Sequence, residues 1–333
     1  VVGDVKVDIA SSRTEKYPNP GELPVVGLSP MLEDLQRRDF TINALALPLW
    51  QDNPPILDIC NGLEDLYNGT INILHKDSFI DDPTRLFRAV RYERRFGFTM
   101  NPWTAELFSS AIQSNCIDLL SSDRVRHEFE RIFSESNKYL IIQRLSEIGL
   151  LESVLECLKF SNRFDEEQRT RLTSILNQGT TFGPLVSVSC GLSENERASF
   201  IKRLNMPRDW ASVVNDIGLL ESCSGDLTRP DISNSEIYIM LENIGDDAIL
   251  GYLEITGSDT LRSTLIRYIS QIKDTHTILK GTDLLEMGVE NGPDIGYLLR
   301  RLLLQRLDQE IVSVHDERAL VELWMNQGRS CEE

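Results

Sequence analysis

Residues 37–45 read RRDFTINAL, and this stretch holds the strongest chemical signal in the sequence. Two arginines, Arg37 and Arg38, stand beside Asp39, and Asn43 follows four residues later. Guanidinium groups donate paired hydrogen bonds to phosphate oxygens, while aspartate and asparagine side chains can bond to sugar hydroxyls. A solvated helix end explains a bare arginine pair equally well. The whole string instead indicates a site for the triphosphate and ribose of a nucleotide.

Residues 81–92 read DDPTRLFRAVRY and form the second signal. Pro83 fits the first position of a helix, with Asp82 as its cap. Arg85 then lies three residues after Asp82, on the same side of the first turn. The carboxylate can accept a hydrogen bond from the exocyclic amino group of cytosine or adenine, while the guanidinium donates to the adjacent ring nitrogen. The pair therefore predicts recognition of a base.

This pair predicts selection of C and A over U and G. Uracil and guanine present an oxygen acceptor and a ring N–H donor, so both contacts would fail and leave polar groups unpaired at about 1–3 kcal/mol each. An ordinary helix cap with an ion pair between Asp82 and Arg85 explains the same residues. Because a carboxylate has two oxygens, capping and base recognition can coexist.

Short strands and loops surround the first stretch. Residues 1–10 alternate apolar and polar side chains, which predicts a strand. Residues 17–30 are rich in proline and glycine, which predicts a loop. Residues 31–47 begin with a helical pattern and end in an apolar run, and residues 56–59 predict a short strand.

The rest of the chain has the period of helices. A long helix should begin at Pro83 and bury Leu86, Ala89, Val90 and Phe96 on one face. We therefore expect an α+β start in a chain that is mainly α overall. The further stretches predicted as helices are 119–133, 140–158, 194–204, 211–220, 235–241, 259–279 and 295–307.

Length and composition restrict the class of protein. The chain has 333 residues, of which 41% are apolar, and no run approaches the roughly 18 apolar residues that span a bilayer. Six scattered cysteines without a CxxC pair favour neither zinc nor disulfides, so we expect a cytoplasmic protein. The net charge of −18 argues against nucleic acid, but local arginine clusters leave one basic face available.

Both stretches resemble the ribose-binding and base-selecting motifs of the class II tRNA nucleotidyltransferases, the family of bacterial CCA-adding enzymes and poly(A) polymerases. The resemblance covers residues 5–135 strongly and 280–325 moderately. Two departures are Asn61 in place of the first of two paired glycines and Asp123 in place of glutamate. Because asparagine tolerates a left-handed conformation, the turn at Asn61 should survive. The supporting segments are VDIA at 7–10, LDICNGLEDL at 57–66, SDRVRHEF at 122–129 and GTDLL at 281–285.

The resemblance implies roles for individual residues. Arg38, Asp39 and Asn43 would handle the ribose and phosphates, and Arg88 the triphosphate. Asp82 and Arg85 would select the base without a nucleic-acid template. Asp8 is the candidate third carboxylate of the catalytic site. The candidate RNA-binding residues are Arg124, Arg126 and Arg300.

The resemblance also implies a fold and its division. We expect a partial polymerase-β-like nucleotidyltransferase head, followed by an elongated, all-helical neck, body and tail. Residues 1–50 would form the C-terminal part of the head, 51–135 the base-recognising neck, 136–230 the body and 231–333 a tRNA-binding tail. The family's paired Asp-x-Asp carboxylates, which bind Mg²⁺, have no counterpart in the sequence, so we expect these residues to be inactive alone and to be a fragment of a longer enzyme.

The implied function is template-independent addition of C, A or both from CTP and ATP to the 3′ end of tRNA, with release of pyrophosphate. The cofactor would be Mg²⁺, and neither DNA nor a membrane is expected as a partner. Two alternatives stay open: a poly(A) polymerase, and a non-catalytic relative that binds nucleotide or tRNA. A helical scaffold for protein partners would leave residues 37–45 and 81–92 unexplained.

Overall fold

The computed structural model describes residues 8–161, 182–308 and 311–329. In these residues the strands are short and form three two-stranded sheets. This confirms a mainly helical chain with a small α+β start. The pairs are β1 (Arg13–Lys16) with β2 (Val25–Leu28), antiparallel; β3 (Leu45–Ala46) with β4 (Leu57–Asp58), antiparallel; and β5 (Thr70–Ile71) with β6 (Thr99–Met100), parallel.

The helices fall on both sides of residues 162–181. Those before them are α1 (Met31–Gln36), α2 (Gly62–Asn68), α3 (Ser78–Asp81), α4 (Thr84–Phe96), α5 (Pro102–Gln113), α6 (Ser122–Phe133), α7 (Lys138–Glu147) and α8 (Leu150–Val154). Those after them are α9 (Gly183–Ser189), α10 (Glu194–Leu204), α11 (Arg208–Cys223), α12 (Asn234–Leu241), α13 (Asp246–Leu253), α14 (Asp259–Arg267), α15 (Gly281–Glu286), α16 (Pro293–Leu307) and α17 (Val314–Arg329).

Some predicted elements differ from those found. The loop predicted at 17–30 contains β2, because Val25–Leu28 pairs with β1 despite the neighbouring prolines. Of the strand predicted at 1–10, residues 1–7 lie outside the described residues, and residues 8–10 form no strand. Phe96 is 51% exposed, so the buried face of α4 ends before it.

Two long helical predictions are interrupted. The stretch 140–158 divides at Gly149, whose φ of 76° ends α7 and begins α8. The stretch 259–279 ends as an α-helix at Arg267 and continues as a π-helical turn over Tyr268–Ile272. Apolar side chains continue past both helix ends, since packing requires burial but not helical geometry.

Contacts divide the chain into two compact units. The first comprises Val1–Ser161 with Leu192–Ala211, and its core includes Phe87 in tilted contact with Phe129, with ring centroids 6.1 Å apart. The second comprises Asn162–Gly191 with Ser212–Glu333. The predicted divisions near residues 50, 135 and 230 stay predictions. Within the described residues, no helix combines the length and apolarity needed to cross a membrane.

Candidate nucleotide-binding site

A polar cleft of about 500 Å³ lies in the first unit and gathers the six residues predicted to bind a nucleotide. They come from the segment after α1 and from residues 82–88 at and before the start of α4, and the two groups are about 40 positions apart in the sequence. The cleft is lined by Arg13, Glu15, Tyr17, Leu23, Pro24, Arg37, Arg38, Asp39, Asn43, Asp82, Arg85, Arg88, Tyr92 and Arg124.

Asp39 joins the two stretches. It is only 6% exposed, and its Oδ1 accepts hydrogen bonds from the backbone N–H of Phe40 at 2.9 Å and from Asn43 Nδ2 at 3.0 Å. Its Oδ2 lies 2.5 Å from Arg88 Nη2. Burial lowers the pKa of the Arg88 guanidinium, but Asp39, Tyr92 and Glu128 together outweigh burial, so the pKa is raised. Arg88 is therefore a fixed cation at the edge of the cleft.

Arg37 and Arg38 both bond Asp34, but they differ in how much of each side chain remains exposed to the cleft. Arg37 donates to Asp34 Oδ1 at 2.7 Å and to Glu15 Oε1 at 2.5 Å, and its side chain is 19% exposed. Arg38 donates to Asp34 Oδ2 at 3.1 Å and keeps 41% of its side chain exposed. Of the two, Arg38 is thus the one more available to a ligand.

Asp82 lies one position before Pro83, which is the N-cap of α4 in place of the predicted Asp82, but the Asp82 carboxylate still bonds the first turn of the helix. Its Oδ1 accepts from the backbone N–H of Thr84 at 3.1 Å and from the Thr84 hydroxyl at 2.6 Å. The same oxygen lies 2.6 Å from Arg124 Nη2, and the other Nη of Arg124 donates to the Gly21 carbonyl at 2.6 Å. Among the described residues Oδ2 accepts no hydrogen bond. This leaves one carboxylate oxygen for a base.

Arg85 is 4% exposed and does not pair with Asp82 in the described part of the chain. Its Nη1 donates to the Ser78 hydroxyl at 2.6 Å, and its Nη2 donates to the Arg37 carbonyl at 2.9 Å. The alternative interpretation, a helix cap with an ion pair three residues apart, is therefore wrong in its second half. Asp82 and Arg85 line the same cleft with separate partners.

The cleft is also lined by Arg124 and Tyr17, which the sequence patterns had not assigned to a nucleotide site. Arg124, to which only the resemblance of residues 122–129 pointed, forms an ion pair with Asp82 in the cleft. Its predicted role in RNA binding stays a prediction. Tyr17 lines the cleft and donates from its hydroxyl to Glu15 Oε2 at 3.1 Å. Burial raises the pKa of Tyr17 to about 12, so this hydroxyl stays protonated at neutral pH.

The other predicted site residues lie outside the cleft lining. Arg126 contacts Asp123 at 2.8 Å and Glu130 at 3.2 Å. Arg300 forms two contacts with Glu242, at 2.5 and 2.9 Å. Asp8 is exposed. Their roles in RNA binding and catalysis stay predictions.

The family that the resemblance names uses Mg²⁺. Among the described residues no group of three or more histidine, cysteine, aspartate or glutamate side chains is arranged to hold a metal ion. Asp8, the candidate carboxylate, stands exposed and outside any such group. The described residues therefore do not by themselves fit a magnesium site.

Comparison with known proteins agrees with the motifs. Residues 1–72 match the family described as the poly A polymerase head domain, and residues 97–161 match a probable RNA- and SrmB-binding site of polymerase A. An A-adding tRNA nucleotidyltransferase of Geobacter sulfurreducens is 32% identical over 94% of this chain and 37% of its own length. One from Halalkalibacterium halodurans is 30% identical over 87% of this chain and 67% of its own length.

The fold agrees as well. A solved CCA-adding enzyme in an apo form matches with a TM-score of 0.81 at 25% identity, covering 96% of this chain and 77% of the other. The fold and the motifs place this chain in the class of nucleotidyltransferases that have a small head domain followed by helices. The chain belongs to the tRNA nucleotidyltransferase and poly(A) polymerase family. It spans 37% of the length of the Geobacter relative and 67% of the Halalkalibacterium one.

Proposed function

We propose that the protein takes part in adding A, C or both from ATP and CTP to the 3′ end of tRNA, with release of pyrophosphate. The observation that carries this proposal is the single cleft in which Asp82 and Arg85 lie beside the phosphate- and ribose-binding candidates. The relatives named above, which are A-adding and CCA-adding enzymes, support tRNA as the acceptor.

Different residues of the cleft would bind the phosphates, the ribose and the base of the nucleotide. Arg38 and Arg88 would donate to phosphate oxygens, since guanidinium forks match their geometry. Asp39 and Asn43 would bond the ribose hydroxyls. Asp82 Oδ2, which accepts no hydrogen bond within the described residues, would accept from the amino group of adenine or cytosine.

A guanidinium completes the recognition of the base. Arg85 would donate to the ring nitrogen next to the amino group, which is an acceptor in adenine and cytosine but an N–H donor in guanine and uracil. A mismatched base would then leave polar groups unpaired at about 1–3 kcal/mol each. Selection of A and C therefore needs no template.

We also propose that the reaction depends on Mg²⁺. In this family the ion would activate the 3′ hydroxyl and balance the charge of the triphosphate. A cytoplasmic location stays a prediction from the cysteine pattern.

Nucleotide addition to defined tRNA ends tests this function. Transcripts ending before the first C, after one C and after two would be incubated with each labelled nucleoside triphosphate and Mg²⁺. In an enzyme that carries the family's Asp-x-Asp carboxylates together with these residues, we expect incorporation of A or C and none of G or U. Repeated addition of A to unrelated RNA would indicate a poly(A) polymerase, and nucleotide binding without incorporation would indicate a non-catalytic relative. Either result would contradict the proposal.

A further inference from the structure

Ser78 contacts both residues that are proposed to read the base. It begins α3, lies four positions before Asp82 and seven before Arg85, and has no exposed surface (0%). Its hydroxyl accepts from Arg85 Nη1 at 2.6 Å. Its carbonyl oxygen accepts the backbone N–H of Asp82 at 3.3 Å and lies 3.5 Å from Arg85 Nη1. Ser78 is therefore hydrogen-bonded to both Asp82 and Arg85, the proposed base-selecting pair.

Neutral acceptors hold the Arg85 guanidinium. The side chain is buried, and its hydrogen bonds within the described structure go to Ser78 and to the Arg37 carbonyl at 2.9 Å. A buried cation is tolerated when its N–H groups are hydrogen-bonded. Each anchor takes a different Nη, so the two together fix the plane of the guanidinium. Without the hydroxyl, Nη1 would keep only the long contact to the Ser78 carbonyl.

The surroundings of Ser78 make it a rigid support. The next residue, Phe79, is 1% exposed and packs edge-to-face on Phe108, with ring centroids 5.5 Å apart. The backbone N–H of Ser78 donates to the His75 carbonyl at 3.1 Å. The hydroxyl is therefore presented from a segment that is packed into the core.

We propose that Ser78 is a positioning residue for base selection, whose hydroxyl sets the Arg85 guanidinium at the distance from Asp82 that adenine and cytosine require. This inference rests on the proposed function, because it assumes that Asp82 and Arg85 read the base. It adds a residue that touches neither base nor phosphate. Its effect should appear in the choice among nucleotides more than in the affinity for the triphosphate.

The test measures equilibrium binding of ATP, CTP, GTP and UTP to the unaltered chain and to Ser78→Ala. We expect the preference for ATP and CTP over GTP and UTP to fall about tenfold, the loss of one hydrogen bond to a charged group. Ser78→Thr keeps the hydroxyl and should keep the preference. Ser189→Ala is the matched control, since Ser189 is also fully buried and its hydroxyl bonds the Leu185 carbonyl at 2.8 Å in the other unit.

A double-mutant cycle separates positioning from general support. Once Arg85 is replaced by alanine, Ser78→Ala should cause no further loss of selectivity, because the guanidinium that it places is gone. Losses that add independently would overturn the inference, as would unchanged selectivity in Ser78→Ala. An unaltered chain with no preference among the four nucleotides would contradict the proposed function itself, so the two failures are distinguishable.

Discussion

At the scale of single residues, Asp34 organises the arginine pair. It is 5% exposed and accepts hydrogen bonds from the Arg13 backbone N–H, from Arg37 and from Arg38. Burial raises the pKa of its carboxyl, but these donors outweigh burial and lower the pKa to about 2. The charged carboxylate of Asp34 therefore stabilises the fold and also holds Arg37 and Arg38, which line the cleft.

This linkage gives a pH dependence with a definite sign. Because the folded pKa of Asp34 lies below the ordinary value of 3.8, its stabilisation is fully present above about pH 4 and is lost as pH falls towards 2. The shift corresponds to about 2 kcal/mol of unfolding free energy. Asp34→Asn should lower stability at neutral pH by about that amount and remove this part of the acid dependence.

Urea unfolding between pH 2 and 7 measures the effect. Asp52→Asn makes the same chemical change on an exposed loop and should leave the curve unaltered. An Asp34→Asn protein with the same acid dependence as the unaltered chain would show that the carboxylate is not held as described.

At the scale of elements, α2 packs against the nucleotide-binding segment without room for a side chain. A Cβ placed on Gly62 would lie 2.2 Å from the carbonyl oxygen of Thr41, which belongs to residues 37–45. The turn before it is formed by Asn61, whose φ of 58° confirms the predicted left-handed conformation. Asp58 accepts hydrogen bonds from the backbone N–H groups of Gly62 and Leu63, both at 2.9 Å.

Gly62→Ala should therefore displace backbone rather than a flexible side chain. We expect a loss of about 1–3 kcal/mol in unfolding free energy, as for other overpacked sites, together with weaker nucleotide binding. Gly296→Ala is the control, because no heavy atom lies within 4 Å of a Cβ there and the residue is inside α16. That change should be neutral or stabilising by up to about 1 kcal/mol. An unchanged urea midpoint for Gly62→Ala would contradict the close contact.

Helices with explicit end signals were predictable from sequence. The prediction at 194–204 matches α10, where Ser193 and Glu196 form a capping box and Asn205 ends the helix with a φ of 46°. The division of the stretch 140–158 at Gly149 was not predicted, because its apolar pattern continues across the break. Periodicity records which side chains are buried, whereas a change of chain direction depends on the packing that surrounds it.

At the scale of the whole molecule, the six nucleotide-binding candidates line one cleft, but their partners were not predictable from the sequence. The acceptors of Arg85 are the Ser78 hydroxyl and the Arg37 carbonyl, and the latter lies 48 positions away in sequence. The ion-pair partner of Asp82 is Arg124, 42 positions away. Spacing identifies residues that share a helix face, whereas contacts between distant segments follow only from the fold.

The net charge of the whole chain is a poor guide to the charge of its ligand. The net charge of −18 would disfavour a polyanion, yet the cleft is lined by Arg13, Arg37, Arg38, Arg85, Arg88 and Arg124. Charges separated by more than a Debye length, about 8 Å at physiological salt, are largely screened. The local arrangement rather than the total therefore decides what the cleft can bind.

The most direct test of the central claim is the binding of the four nucleoside triphosphates to the unaltered chain and to the double variant Asp82→Ala with Arg85→Ala. We expect the unaltered chain to prefer ATP and CTP to GTP and UTP. In the double variant all four should bind with similar affinity, because the phosphate and ribose contacts remain while the base contacts are lost. A double variant that still prefers ATP and CTP would contradict the assignment of this pair as the base-selecting element.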